Sequence, residues 1–119
     1  MVTDDTLLKF GYVKDKDNTK LKEILKDNIK IKEIHIDIYS ENPLSSSTSF
    51  MLLLRTSEKN AVTSNDGNRL ILKKNDKNKT CIMNVLFSKI TECFLKVSEG
   101  CSEFILNIQN IYYRITILN

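Results

Sequence analysis

The stretch Thr80-Cys81-Ile82-Met83-Asn84-Val85-Leu86-Phe87-Ser88-Lys89-Ile90-Thr91-Glu92-Cys93-Phe94-Leu95-Lys96-Val97-Ser98-Glu99 decides the fold. Two readings compete for it. Val85, Phe87 and Phe94 are strand formers, and two strands would use them. The spacing favours a helix. Met83, Phe87, Ile90, Phe94 and Val97 fall at steps of four, three, four and three, flanked by Leu86 and Cys93. That is one face of an α-helix. Thr80 suits its N-cap and Gly100 its stop. The spacing therefore predicts one longer amphipathic helix at about 80–99.

Either side of it the period changes to two. Phe104 to Ile108 and Ile111 to Leu118 read as strands, with Gln109-Asn110 as their turn. In the last, Ile111, Tyr113, Ile115 and Ile117 alternate with Tyr112, Arg114 and Thr116. Upstream, Arg69 to Lys74 is a short strand through Leu70, Ile71 and Leu72, after the turn signal Asn65-Asp66-Gly67-Asn68. Ser57 to Asn68 reads as a polar loop. Phe50-Met51-Leu52-Leu53-Leu54 is a continuous apolar run, as in a strand covered on both faces. Ile29, Ile31, Ile34, Ile36 and Ile38 alternate with polar residues, and the doubled step Lys32-Glu33 shifts the phase. Lys20 to Asp27 is a short helix with the stripe Leu21, Ile24, Leu25, capped by Asn18 or Thr19. Residues 1–18 read as an edge strand or a loosely docked arm. The expected fold is α+β: one small antiparallel-type sheet of about five strands, a short N-terminal helix and the longer helix at about 80–99, in a single domain over 1–119.

The chain has 119 residues, 18 basic against 15 acidic, and a net charge of +3. That excess is mild for a dedicated nucleic-acid binder. Gly11, Gly67 and Gly100 lie too far apart for a phosphate-cradling loop. No apolar run reaches membrane-spanning length, and no secretory h-region follows Met1. Cys81, Cys93 and Cys101 are odd in number and irregular in spacing, which points to free thiols in a reducing compartment: the cytoplasm, with the nucleus as alternative.

The chemistry-bearing residues are few. His35 is the only histidine and sits mid-strand, so a Cys-His or Ser-His pair has one place to form and nothing beside it in sequence. One histidine does not complete a usual zinc set. The acids are scattered without a buried pair. The expectation is a non-enzymatic chain with no cofactor and no metal. Binding then falls to two kinds of surface. Arg69, Lys73, Lys74, Lys77 and Lys79 form a basic cluster suited to phosphates or an acidic partner. No aromatic interleaves with it, so base stacking has no support. Ile111, Tyr113 and Ile115 represent the apolar sheet surface that two helices leave uncovered.

One family resembles this order of elements. Phe50-Met51-Leu52-Leu53-Leu54 with Arg55-Thr56-Ser57, then Leu70-Ile71-Leu72, a charged loop, a helix Cys81 to Val97, Ser98-Glu99-Gly100 and the strand Phe104 to Ile108, is similar to the proteasome assembly chaperone 3 type over residues 30 to 108. The final strand Ile111 to Leu118 stands where that family would place a helix. The resemblance implies a non-catalytic assembly chaperone that pairs with a sister subunit and aids 20S proteasome α-ring formation with proteasome α-subunits as partners. It transfers no catalytic residue. The same order also resembles RNA-associated signal-recognition-particle Alu-domain proteins, and roadblock- or longin-like adaptors.

Overall fold

The computed structural model describes residues 4–26, 33–39, 50–55, 59–63, 68–74 and 81–118. The chain opens with α1 (Asp4–Lys9), β1 (Val13–Lys14), a 3-10 turn (Lys16–Asn18) and α2 (Thr19–Lys26). Strands follow: β2 (Glu33–Tyr39), β3 (Phe50–Arg55), β4 (Lys59–Thr63), β5 (Arg69–Lys74) and β6 (Cys81–Leu86). A second 3-10 turn (Phe87–Lys89) leads to β7 (Ile90–Ser98), β8 (Cys101–Ile108) and β9 (Ile111–Leu118). Every pairing is antiparallel. The large sheet runs β1-β7-β8-β9-β2-β3, five full strands with two-residue β1 at one edge; β4-β5-β6 form a second sheet. The α+β class holds.

The helix expected at about 80–99 does not exist. Those residues form β6, a 3-10 turn and β7. The physical reason is two slips of phase. Met83, Val85 and Phe87 reach the same core with period two. The turn at Phe87–Lys89 breaks that period, and a bulge between Ile90 and Glu92 breaks it again. Cys93 and Leu95 then rejoin that core, while Phe94 packs into a separate cluster. Strand alternation with two interruptions thus mimics helical steps. Val97, placed by spacing on the apolar face, is 66% exposed. Gly100 ends no helix; at φ +72° it turns β7 into β8. β4 replaces part of the expected polar loop Ser57 to Asn68, and the Ile29 and Ile31 positions lie outside the described residues.

The large sheet is buried on both sides, and the two sides differ. On the first, Ile34 and Ile36 of β2, Ile115 and Ile117 of β9, Phe104 and Leu106 of β8, and Leu95 of β7 meet Leu21 and Leu25 of α2 and Leu70 of β5. This is the main core. α2 is helical because its stripe docks there; the surface ion pair Lys20–Glu23 is exposed and contributes little. On the second, Tyr39, Phe94, Ile105 and Tyr112 are closed over by Leu7 of α1 and by Tyr12. The expected arm is therefore anchored through two side chains.

Asp15 joins these parts. Its N–H donates to the Cys93 carbonyl at 2.8 Å, which continues the β1 edge. Its carboxylate accepts the N–H groups of Lys20 and Leu21, both at 3.0 Å. It thereby serves the first turn of α2 in place of the expected Asn18 or Thr19 cap. Asp17 and Asn18, at φ 58° and 57°, turn the chain between acceptor and helix, a left-handed conformation that Asn and Asp tolerate. Replacing Asp15 by Ala leaves two helix donors and the buried site unsatisfied. We predict a loss of about 1–3 kcal/mol in urea unfolding, with far-UV dichroism reporting lost helix.

Candidate functional site

The second face of the large sheet carries the polar groups. Alternation puts Glu33, His35, Asp37 and Tyr39 of β2 there. Asp37 faces Arg114 directly across β2 and β9. Arg114 Nη2 lies 3.2 Å from Asp37 Oδ2, and its guanidinium sits 5.1 Å from the centre of the Tyr39 ring. Asp37 is buried, so this pair is a desolvated one that would be costly to break. Tyr12 donates its hydroxyl to Glu103 Oε2 at 2.6 Å, and Lys96 Nζ lies 5.6 Å over its ring. Burial, then the bond to Glu103, pushes the Tyr12 phenol well above its ordinary range. Burial also raises the Tyr39 and Tyr112 phenols. Tyr39 is only 2% exposed, and its hydroxyl has no hydrogen-bond partner.

Four large hydrophobic side chains remain exposed around the neighbouring edge: Leu8 (55%), Phe10 (57%), Val13 (55%) and Val97 (66%). Val13 and Val97 project on the side of the sheet that carries Cys93 and Leu95, and Leu8 and Phe10 belong to the α1 segment that covers the other side. Val13 pairs with Leu95, two residues from Val97 on β7. Gly11, at φ +89°, lies against the Lys96 side chain, so the turn carrying Phe10 runs past the same end of β7. The sheet edge here is short and ends in Lys14 and the engaged Asp15, which blocks ladder extension.

A cleft of about 460 Å³ opens beside the first 3-10 turn, between Lys14, Asp15, Asn18, Lys22, Ser88 and Thr91. Its chemistry is structural. Asp15 is committed to α2. Cys93 donates its thiol to Asp15 Oδ2 at 3.7 Å. Burial and that carboxylate raise the thiol far above its ordinary value, so it is no activated nucleophile. Lys22 Nζ packs 4.8 Å from the Phe87 ring. His35 Nε2 is 3.1 Å from Glu33 Oε2, both about one-third exposed on the sheet face.

The residues singled out by sequence do not gather. Arg69 opens β5 and donates to Asn84 Oδ1 at 3.1 Å. Lys73 and Lys74 belong to β5, their side chains outside the described set, and Lys77 and Lys79 lie outside the described residues. Ile115 is a core residue at 4% exposure and leaves the list of docking residues, because β9 is interior rather than peripheral. Tyr113 packs on the main core, and Ile111 is 39% exposed. Sequence reasoning missed Asp15, Asp37–Arg114 and Tyr12–Glu103. The opposed charges on the polar positions of β2 and β9 were the only signal, readable once the register is known. Cys93 and Cys101 are free thiols.

Comparison with family models, with curated proteins and with solved structures found no match. Among the described residues no helix is long and apolar enough to cross a membrane, and no three His, Cys, Asp or Glu side chains assemble as metal ligands.

The raised thiol and phenols have a pH consequence. The folded chain holds these protons more tightly than the unfolded one, so their stabilisation is complete below the ordinary values, 9.0 for Cys93 and 10.0 for Tyr12, and is lost as pH rises. We predict that urea-unfolding stability falls steadily above about pH 9. Cys93→Ala and Tyr12→Phe should each flatten that fall relative to their own neutral-pH baseline.

Proposed function

We propose that this chain is a non-catalytic protein-binding module. The observation that carries the reading is the group of half-exposed or more exposed Leu8, Phe10, Val13 and Val97 around α1, β1 and the end of β7. Fully burying one such side chain stabilises by about 1.5–3 kcal/mol, and apolar groups collected at one edge mark interaction surfaces more often than scattered ones do. Lys9, Lys14 and Lys96 are exposed beside them and supply a polar rim. The groups best placed for chemistry are already engaged in structure: Asp15 in capping, Cys93 in a protonated thiol, Asp37 in an ion pair.

An assembly chaperone for proteasome α-rings is the specific form that the family resemblance implies. Of the segments carrying it, Phe50–Leu54, Leu70–Leu72 and Phe104–Ile108 are strands as expected. Cys81 to Val97 is not the helix on which the resemblance leaned. The binding-module reading stands without that helix.

Affinity capture of the full chain, with mass spectrometry of retained proteins, tests both levels. A stoichiometric protein partner is expected, with retention lost in a folded Phe10→Asp/Val97→Asp variant. Proteasome α-subunits in the retained set would support the chaperone form. Retention that the double variant leaves intact would remove this surface as the binding face.

A further inference from the structure

We infer that α1 is a displaceable plug over an aromatic socket, and that the socket takes a leucine side chain from a partner polypeptide together with a hydrogen-bond acceptor beside it. The socket is formed by Tyr12, Tyr39, Phe94, Ile105 and Tyr112, all buried. Leu7 fills it and is the one buried residue of α1. The helix has six residues, far too short to persist without its docking site. Its exit is held by local backbone bonds, from the N–H groups of Phe10 and Tyr12 to the Leu7 carbonyl and from Gly11 to that of Leu8. Gly11, at φ +89°, is a conformation that only glycine adopts freely, and it separates α1 from the anchored Tyr12. Movement of α1 breaks the Tyr12 N–H bond to the Leu7 carbonyl, whereas the Tyr12 hydroxyl bond to Glu103 and the β1 pairing do not involve α1.

The plug is chemically incomplete. Tyr39 is 98% buried by its 2% exposure, yet its hydroxyl donates to nothing. A buried donor without an acceptor is held at a penalty. A ligand that offers the same branched side chain plus a carbonyl oxygen removes that penalty and so competes with Leu7. This also selects the occupant. The α1 of a second copy would leave the Tyr39 hydroxyl in the same unpaired state, so a different polypeptide is favoured. Arg114, over the Tyr39 ring, is already neutralised by Asp37, so the socket suits an uncharged carbonyl acceptor.

The inference deepens the binding-module reading and rests on it, but its test does not use a cellular partner. The full chain carrying Leu7→Ala is titrated with N-acetyl-leucine amide while the Tyr39, Phe94 and Tyr112 ring resonances are followed by NMR. Saturable shifts are expected, about tenfold weaker with N-acetyl-alanine amide and about tenfold weaker again in Leu7→Ala/Tyr39→Phe. In the unmodified chain, α1 amides should exchange with solvent about 100-fold faster than those of Phe104 to Leu106, which shows that the plug opens separately. Tyr39→Phe alone should leave the thermal midpoint unchanged or higher, because no hydrogen bond is lost. Global unfolding of Leu7→Ala, equal protection of α1 and β8, or leucine-probe binding indifferent to Tyr39→Phe would each overturn the proposal. A concentration-dependent dimer abolished by Leu7→Ala, without probe binding, would replace it with a second-copy occupant. Failure of affinity capture with a successful titration would discard the exposed edge and keep the socket.

Discussion

Everything near the N-terminus hangs on the Asp15 carboxylate. A carboxylate leaves water at a cost that only charge-assisted partners offset. Here the partners are the first free N–H groups of α2, while the residue's own N–H is fixed to the Cys93 carbonyl. One residue thus sets the start of α2 through its side chain and the end of β1 through its N–H, and so the position of both against β7. The stripe Leu21, Ile24, Leu25 then falls onto the sheet rather than beside it. The arm, the socket and the exposed edge are all positioned relative to this point.

The two sides of the large sheet divide the work of stability and recognition. The first side is mainly aliphatic, closed by α2 and the small sheet, and its residues interlock across four strands, β7, β8, β9 and β2. Such a core tolerates little change. The second side mixes four aromatic rings with an ion pair, and is closed by a six-residue helix. Aromatic rings with polar rims suit recognition because they give large contact area at small entropic cost. Rigidity on one side lets the other be exposed or rearranged without loss of the fold.

How much of this the sequence disclosed follows from where its periods are clean. β2 and β9 alternate without interruption, and each was legible, as were β3 and β5 from their apolar runs and the Gln109-Asn110 turn. That turn places both residues at positive φ, as a two-residue hairpin requires. β6 and β7 were illegible because two irregularities, the turn at Phe87–Lys89 and the bulge at Thr91, reset the phase. Thr91, the extra residue of the bulge, donates to the Asn107 carbonyl at 3.1 Å and ties the irregularity down. The site was less legible than the fold. Asp15 acts across five residues and on β7, and Asp37 meets Arg114 across 77. Composition carries no information about such distances.

The place of β9 bears on how the chain is made. It lies between β8 and β2, so β2 and β3 join β7 and β8 in the large sheet only through it. β7, β8 and β9 form a local meander and can assemble quickly. β2 and β3 leave the ribosome long before β9 does, and their apolar residues wait without their permanent neighbour. The order of synthesis and the order of pairing therefore differ: β9, made well after β2 and β3, is the strand that joins them to β8.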